Sequence, residues 1–75
     1  MSIGNHYEVI RGSDTQRDGM FLELWDRTTH ALALEVFYSD ADGTFSITRY
    51  RNDVPAEVES WFQQEARRLL PPAAD

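Results

Sequence analysis

Three stretches of the chain carry a period of two that sorts their hydrophobic and polar side chains onto two sides. In MFLELWD (Met20 to Asp26), Leu22 and Leu24 fall on one side and Phe21, Glu23 and Trp25 on the other. In ALALEVFYS (Ala31 to Ser39), Leu32, Leu34, Val36 and Tyr38 share a side, opposite Ala33, Glu35 and Phe37. In TFSITRY (Thr44 to Tyr50), Phe45 and Ile47 oppose Ser46, Thr48 and Tyr50. A period of two among β-branched and aromatic residues predicts strands. A shorter run, HYEVIR (His6 to Arg11), reads either as a fourth strand or as a segment lying alongside the sheet.

The segments between are turn-like. GSDTQRDG (Gly12 to Gly19) is polar between two glycines and reads as a loop, while DRTTH (Asp26 to His30) and SDADG (Ser39 to Gly43) read as hairpin connections. Connections this short make consecutive strands antiparallel neighbours, so the sheet is a meander.

The pattern changes at Asn52. Val54, Val58, Trp61, Phe62, Ala66, Leu69 and Leu70 follow a helical spacing. Pro55 suits a first helical turn, and Asn52 or Asp53 is the expected cap. Glu57 and Glu59 complement the positive end of the helix dipole, and Arg67 and Arg68 the negative end. PPAAD stops the helix, and residues 71–75 are expected to form a frayed tail. The predicted fold is α+β: one small domain with a three- to four-stranded antiparallel meander and a C-terminal helix on one sheet face (β-β-β-β-α). Its core should join Leu22, Leu24, Leu32, Leu34, Val36, Phe45 and Ile47 to Val58, Trp61, Phe62, Ala66 and Leu69.

Composition narrows the chemistry. The 75 residues contain no cysteine, which removes disulfides, zinc thiolates and a thiol nucleophile. The formal charge is −6, and all 7 basic residues are arginine. Such a balance disfavours nucleic acid and anionic membranes and suits a basic partner. The N-terminus lacks a basic region followed by an apolar run, and no stretch approaches the roughly 20 apolar residues of a bilayer span, so a cytoplasmic location is expected.

DADG resembles part of a calcium loop. With Asp42 and Gly43 at loop positions five and six, however, Tyr38 falls at the first ligand position and Arg49 at the last, where a carboxylate is required. Asp-Gly is a strong hairpin turn signal, and a turn is the expected reading. His6 and His30 are the only histidines and do not suffice for zinc. No serine sits in a strand-to-helix elbow, the Asp40/Asp42 and Glu57/Glu59 pairs read as solvated, and no phosphate-binding glycine loop is present. No cofactor, metal or enzymatic activity is expected.

The remaining feature is the sheet face away from the helix. Phe21, Trp25 and Phe37 lie there with Glu23, Glu35, Ala33 and Tyr50. An apolar patch rimmed by charge marks an interface, and large aromatics are enriched at interface centres. The expectation is a homodimer formed through Phe21, Trp25, Phe37, Glu23, Glu35 and Tyr50. The alternatives are an acidic inhibitor-like binder of a basic protein, in the manner of an immunity protein or antitoxin, and, less favoured, a nucleic-acid binder using Arg49, Arg51, Arg67 and Arg68. The opposing consideration is that the chain before residue 20 folds back over this face, or that Arg49 and Arg51 shield it.

Overall fold

The computed structural model describes residues 3–71, so all of the expected tail beyond Pro71 lies outside the described residues. A one-turn helix, α1 (Ile3–His6), precedes four strands, β1 (Tyr7–Asp14), β2 (Gly19–Asp26), β3 (Ala31–Ser39) and β4 (Thr44–Arg49), and the chain closes with α2 (Ala56–Leu69). The strands pair antiparallel in the order β1-β2-β3-β4. This is the α+β meander with a C-terminal helix read from the sequence, with the N-terminal run serving as a complete fourth strand. Helix α1 is too short to leave a periodic signal.

β1 extends beyond its expected end, through Gly12 to Asp14. Only residues 15–18 form the loop, because Gly12 and Gly19 serve the sheet instead of a turn. A Cβ on Gly12 would stand 2.5 Å from the tip of the Phe21 ring across the strands, and one on Gly19 would stand 2.5 Å from Phe37. Both rings lie over positions that only glycine leaves empty.

The three hairpins repeat one device. Each loop has four residues, and the last is left-handed: Asp18 (φ 54°), His30 (φ 57°) and Gly43 (φ 69°). The residue before each loop caps it. Asp14 Oδ1 accepts from the Gln16 and Arg17 amides, Asp26 Oδ1 from those of Thr28 and Thr29, and Ser39 Oγ from that of Asp42. Such side chains mimic a backbone turn. DADG is therefore the bend between β3 and β4, closed by Gly43 N–H donating to Ser39 O at 2.8 Å.

On one sheet face, Leu22, Leu24, Leu34 and Val36 meet Val58, Phe62, Ala66 and Leu70 of the helix side, all fully or almost fully buried. Met20, Tyr38, Phe45, Ile47, Val54, Trp61 and Leu69 pack around them. Leu32 departs from expectation. The β2–β3 register shifts between Leu24 and Trp25, so that Leu24 opposes Leu34 but Trp25 opposes Leu32. Ala33 is the extra residue of a β-bulge and joins the core at 1% exposure, while Leu32 moves to the opposite face beside Trp25. The bulge carbonyl accepts from both Tyr50 N–H and Arg51 N–H.

The helix is fixed at both ends. Arg49 of β4 grips Glu59 near its start at 2.7 Å, and Arg11 of β1 donates to the Leu69 carbonyl near its end at 3.3 Å. A cation at that end also meets the negative pole of the dipole. The expected capping by Asn52 or Asp53 does not occur. Pro55 is the cap residue, and no side chain bonds the first amides. Proline restricts the preceding residue to extended backbone, and Asp53 is engaged by Arg51 at 2.6 Å.

Candidate functional site

Strand alternation and register place Phe21, Glu23 and Trp25 of β2, and Leu32, Glu35 and Phe37 of β3, on the face opposite α2. β1 adds Glu8, Ile10 and Gly12 to the same face. Phe21, Trp25, Leu32 and Phe37 are all half-buried, and among the described residues no helix lies over them. Ile10 is 40% exposed.

The face divides into two lobes. In one, Phe21 opposes Gly12 on one side and Phe37 on the other. Arg17, from the β1–β2 loop, closes this lobe. Its guanidinium sits 4.2 Å from the Phe37 ring centre, donates to both carboxylate oxygens of Glu35 at 3.3 and 3.0 Å, and pairs with Asp14 at 2.6 Å. Glu35 is consequently buried, at 7% exposure. It stands directly opposite Glu23 across the β2–β3 ladder. Like charges in that position repel, and Arg17 offsets the repulsion. Hydrogen bonds donated to Glu35 first, and then to Asp14, hold the Arg17 proton more tightly than usual. The same guanidinium holds the Asp14 carboxyl below its ordinary range.

The second lobe is open. Trp25 donates its indole N–H to Glu23 at 3.0 Å, lies between Glu8 and Leu32, and adjoins Ile10. A groove of about 400 Å³ runs along it, lined by Glu8, Ile10, Trp25, Asp26, Arg27 and His30.

The expected site residues thus fare differently. Phe21, Glu23, Trp25 and Phe37 share one face. Glu35 is there too, but beneath Arg17 and away from solvent. Ala33 is in the core because of the bulge. Tyr50 lies one residue past β4 and is 54% exposed. The loop before residue 20 does fold back over part of the face, through Arg17, whereas Arg49 and Arg51 are occupied by Glu59 and Asp53. Sequence reasoning missed Arg17, Ile10 and Leu32. For Arg17 a signal existed, since two glutamates facing each other across a hairpin call for a nearby cation.

Among the described residues, no three histidine, aspartate or glutamate side chains gather as a metal site would need, and no helix is long and apolar enough to cross a membrane. Compared with protein families, curated proteins and solved structures, the chain finds no match in any of the three.

Proposed function

We propose that this chain is a non-enzymatic protein-interaction module that associates with a second copy of itself through the sheet face opposite α2. One observation carries the reading. Ile10, Trp25 and Leu32 form an open apolar patch without a covering element among the described residues, next to the Phe21–Phe37 lobe that Arg17 closes. Patches of that kind on small proteins mark interaction sites, and a twofold dimer covers both copies of one patch at once. Sedimentation velocity over a wide concentration range tests it. The wild-type chain should sediment as a dimer at high concentration, and Trp25→Glu should sediment as a folded monomer. A wild-type chain that stays monomeric at millimolar concentration would defeat the reading.

A second reading has its own support. Among the described residues, Glu8, Asp18, Glu23, Asp40, Asp42 and Glu57 have no arginine within ion-pair distance. Backbone bonding of Asp40 N–H to Asp18 O brings two of the acidic loops together. This charge excess suits an acidic binder of a basic protein. The nucleic-acid reading gains nothing comparable, because Arg49, Arg51 and Arg68 are each held by a carboxylate.

A further inference from the structure

We infer that two copies of the chain join edge to edge through β1, antiparallel about a twofold axis at Ile10, making one continuous eight-stranded sheet with both helices on the same side. The inference rests on self-association alone and moves the contact from the sheet face to the sheet edge, so that the outer faces of the two copies lie side by side instead of covering one another.

β1 is one of two edge strands and, at eight residues, the longer. It carries two of the three exposed large hydrophobic residues among those described, Val9 at 36% and Ile10 at 40%. It has neither the lysine nor the proline that commonly guards an edge. Its hydrogen-bonding side follows from the ladder. Arg27 N–H donates to His6 O, and bonded pairs alternate along an antiparallel ladder, so the even-numbered residues of β1 bond to β2. The N–H and C=O groups of Val9, Arg11 and Ser13 therefore point away from the sheet. The carbonyl of Tyr7, at the start of the strand, is already taken by the Arg27 side chain at 3.2 Å.

Charge and apolar matching together select the register: axes at Val9 and Gly12 also oppose no like charges, but they set Ile10 against Glu8 or Asp14. Twofold antiparallel pairing puts a residue on the axis opposite its own copy. An axis at Glu8 sets glutamate against glutamate. An axis at Arg11 sets arginine against arginine and Glu8 against Asp14. An axis at Ile10 opposes no like charges: Glu8 meets Gly12, Val9 meets the Arg11 stem, and His6 meets Asp14. It stacks the most exposed aliphatic residue of β1 on its own copy. Val9 and Arg11 then exchange main-chain bonds with their counterparts. Ile10 becomes a non-hydrogen-bonded pair, in which side chains approach most closely. The two open Trp25 lobes become neighbours across the axis on one continuous face.

The absence of cysteine makes the register directly readable. Under mild oxidation, Ile10→Cys should form a disulfide-linked dimer, while Glu8→Cys and Val9→Cys should remain largely unlinked, because only Ile10 meets its own copy at disulfide range. In sedimentation, Arg11→Pro, which removes an outward N–H, should weaken dimerisation at least 100-fold, and Arg11→Ala, which keeps it, should weaken it far less. Crosslinking at Val9→Cys in place of Ile10→Cys would overturn the register. A dimer that survives Arg11→Pro and gives no crosslink at Ile10→Cys, yet dissociates in Trp25→Glu, would overturn the edge pairing and leave the face reading intact. A wild-type chain that never dimerises would sink both. Should Arg11→Pro fail to fold, the cysteine variants decide alone.

Discussion

Replacing Arg17 with alanine isolates the contact that closes half of the outer face. In the folded chain the Glu35 carboxylate is only 7% exposed and takes two hydrogen bonds from Arg17. Removing one partner of a fully buried ion pair costs about 3–5 kcal/mol, because a charge is left buried and alone. Here the Arg17 side chain is 45% exposed, so water can enter the space it vacates. The loss should fall nearer the value of charge-assisted hydrogen bonds, about 1.5–3 kcal/mol. Forfeited stacking on Phe37 adds about 0.5–1 kcal/mol, and unrelieved repulsion from Glu23 acts in the same direction. A destabilisation of about 2–4 kcal/mol is expected, which for a domain of this size lowers Tm by roughly 10–30 °C. Urea unfolding followed by tryptophan fluorescence measures it. Glu35→Gln should cost less, since the amide carries no charge, and it should recover much of the loss when combined with Arg17→Ala. A surface ion pair would instead contribute no more than about 1 kcal/mol. An Arg17→Ala change below about 0.5 kcal/mol, or a double variant no better than the sum of the singles, would refute the clamp.

Three further outcomes follow from the backbone and the charges. His30→Gly should stabilise the chain by up to about 1 kcal/mol, since a left-handed residue at φ 57° is strained for histidine and free for glycine; thermal melts read the rise. Gly19→Ala should destabilise by about 1–3 kcal/mol or prevent folding, because its methyl collides with the Tyr38 carbonyl and the Phe37 ring; an unchanged urea midpoint would contradict the reading of that glycine. Arginine hydrogen bonds depress the folded-state pKa values of Asp14, Asp53, Glu59 and Glu65, so their contribution to stability is complete above the ordinary carboxylate range near pH 4 and is lost as pH falls through the lowered values. Urea midpoints should therefore hold steady from pH 7 to 5 and drop below pH 4, and a midpoint that rises on acidification would contradict these pairings.

What the sequence disclosed and what it hid divide along the range of the interactions. The period of two exposed β2, β3 and β4, and the stripe from Val58 to Leu70 exposed α2, because both patterns record burial residue by residue. The Asp-Gly turn was legible because it is local. Gly12 and Gly19 misled, since their purpose is set by Phe21 and Phe37 on other strands. Arg17 looked like one more polar loop residue; its partner Glu35 lies 18 positions away and becomes a neighbour only once the hairpins form. The caps at Asp14, Asp26 and Ser39 could have been read, as each is a short polar side chain immediately before a four-residue loop.

The bulge at Ala33 was the least legible feature, and it reshapes the outer face most. ALALEVFYS alternates without interruption, so nothing in it signals an extra residue. With continuous alternation, Leu32 would sit beneath α2 and Ala33 would face outward beside Trp25. The bulge reverses both. The core receives the smaller side chain, and the outer face receives a leucine opposite Trp25. This adds Leu32 to the open lobe on the β3 side of Trp25, while Arg17 keeps the Phe21–Phe37 lobe closed at the other end of the strands. A second copy approaching this face therefore meets Trp25, Leu32 and Ile10 directly, but reaches Phe37 only by displacing a guanidinium bound to two carboxylates. Association should accordingly depend on Trp25 and Ile10. Changes at Phe37 should register first as loss of stability, through Gly19 and Arg17, before they register in any dimer.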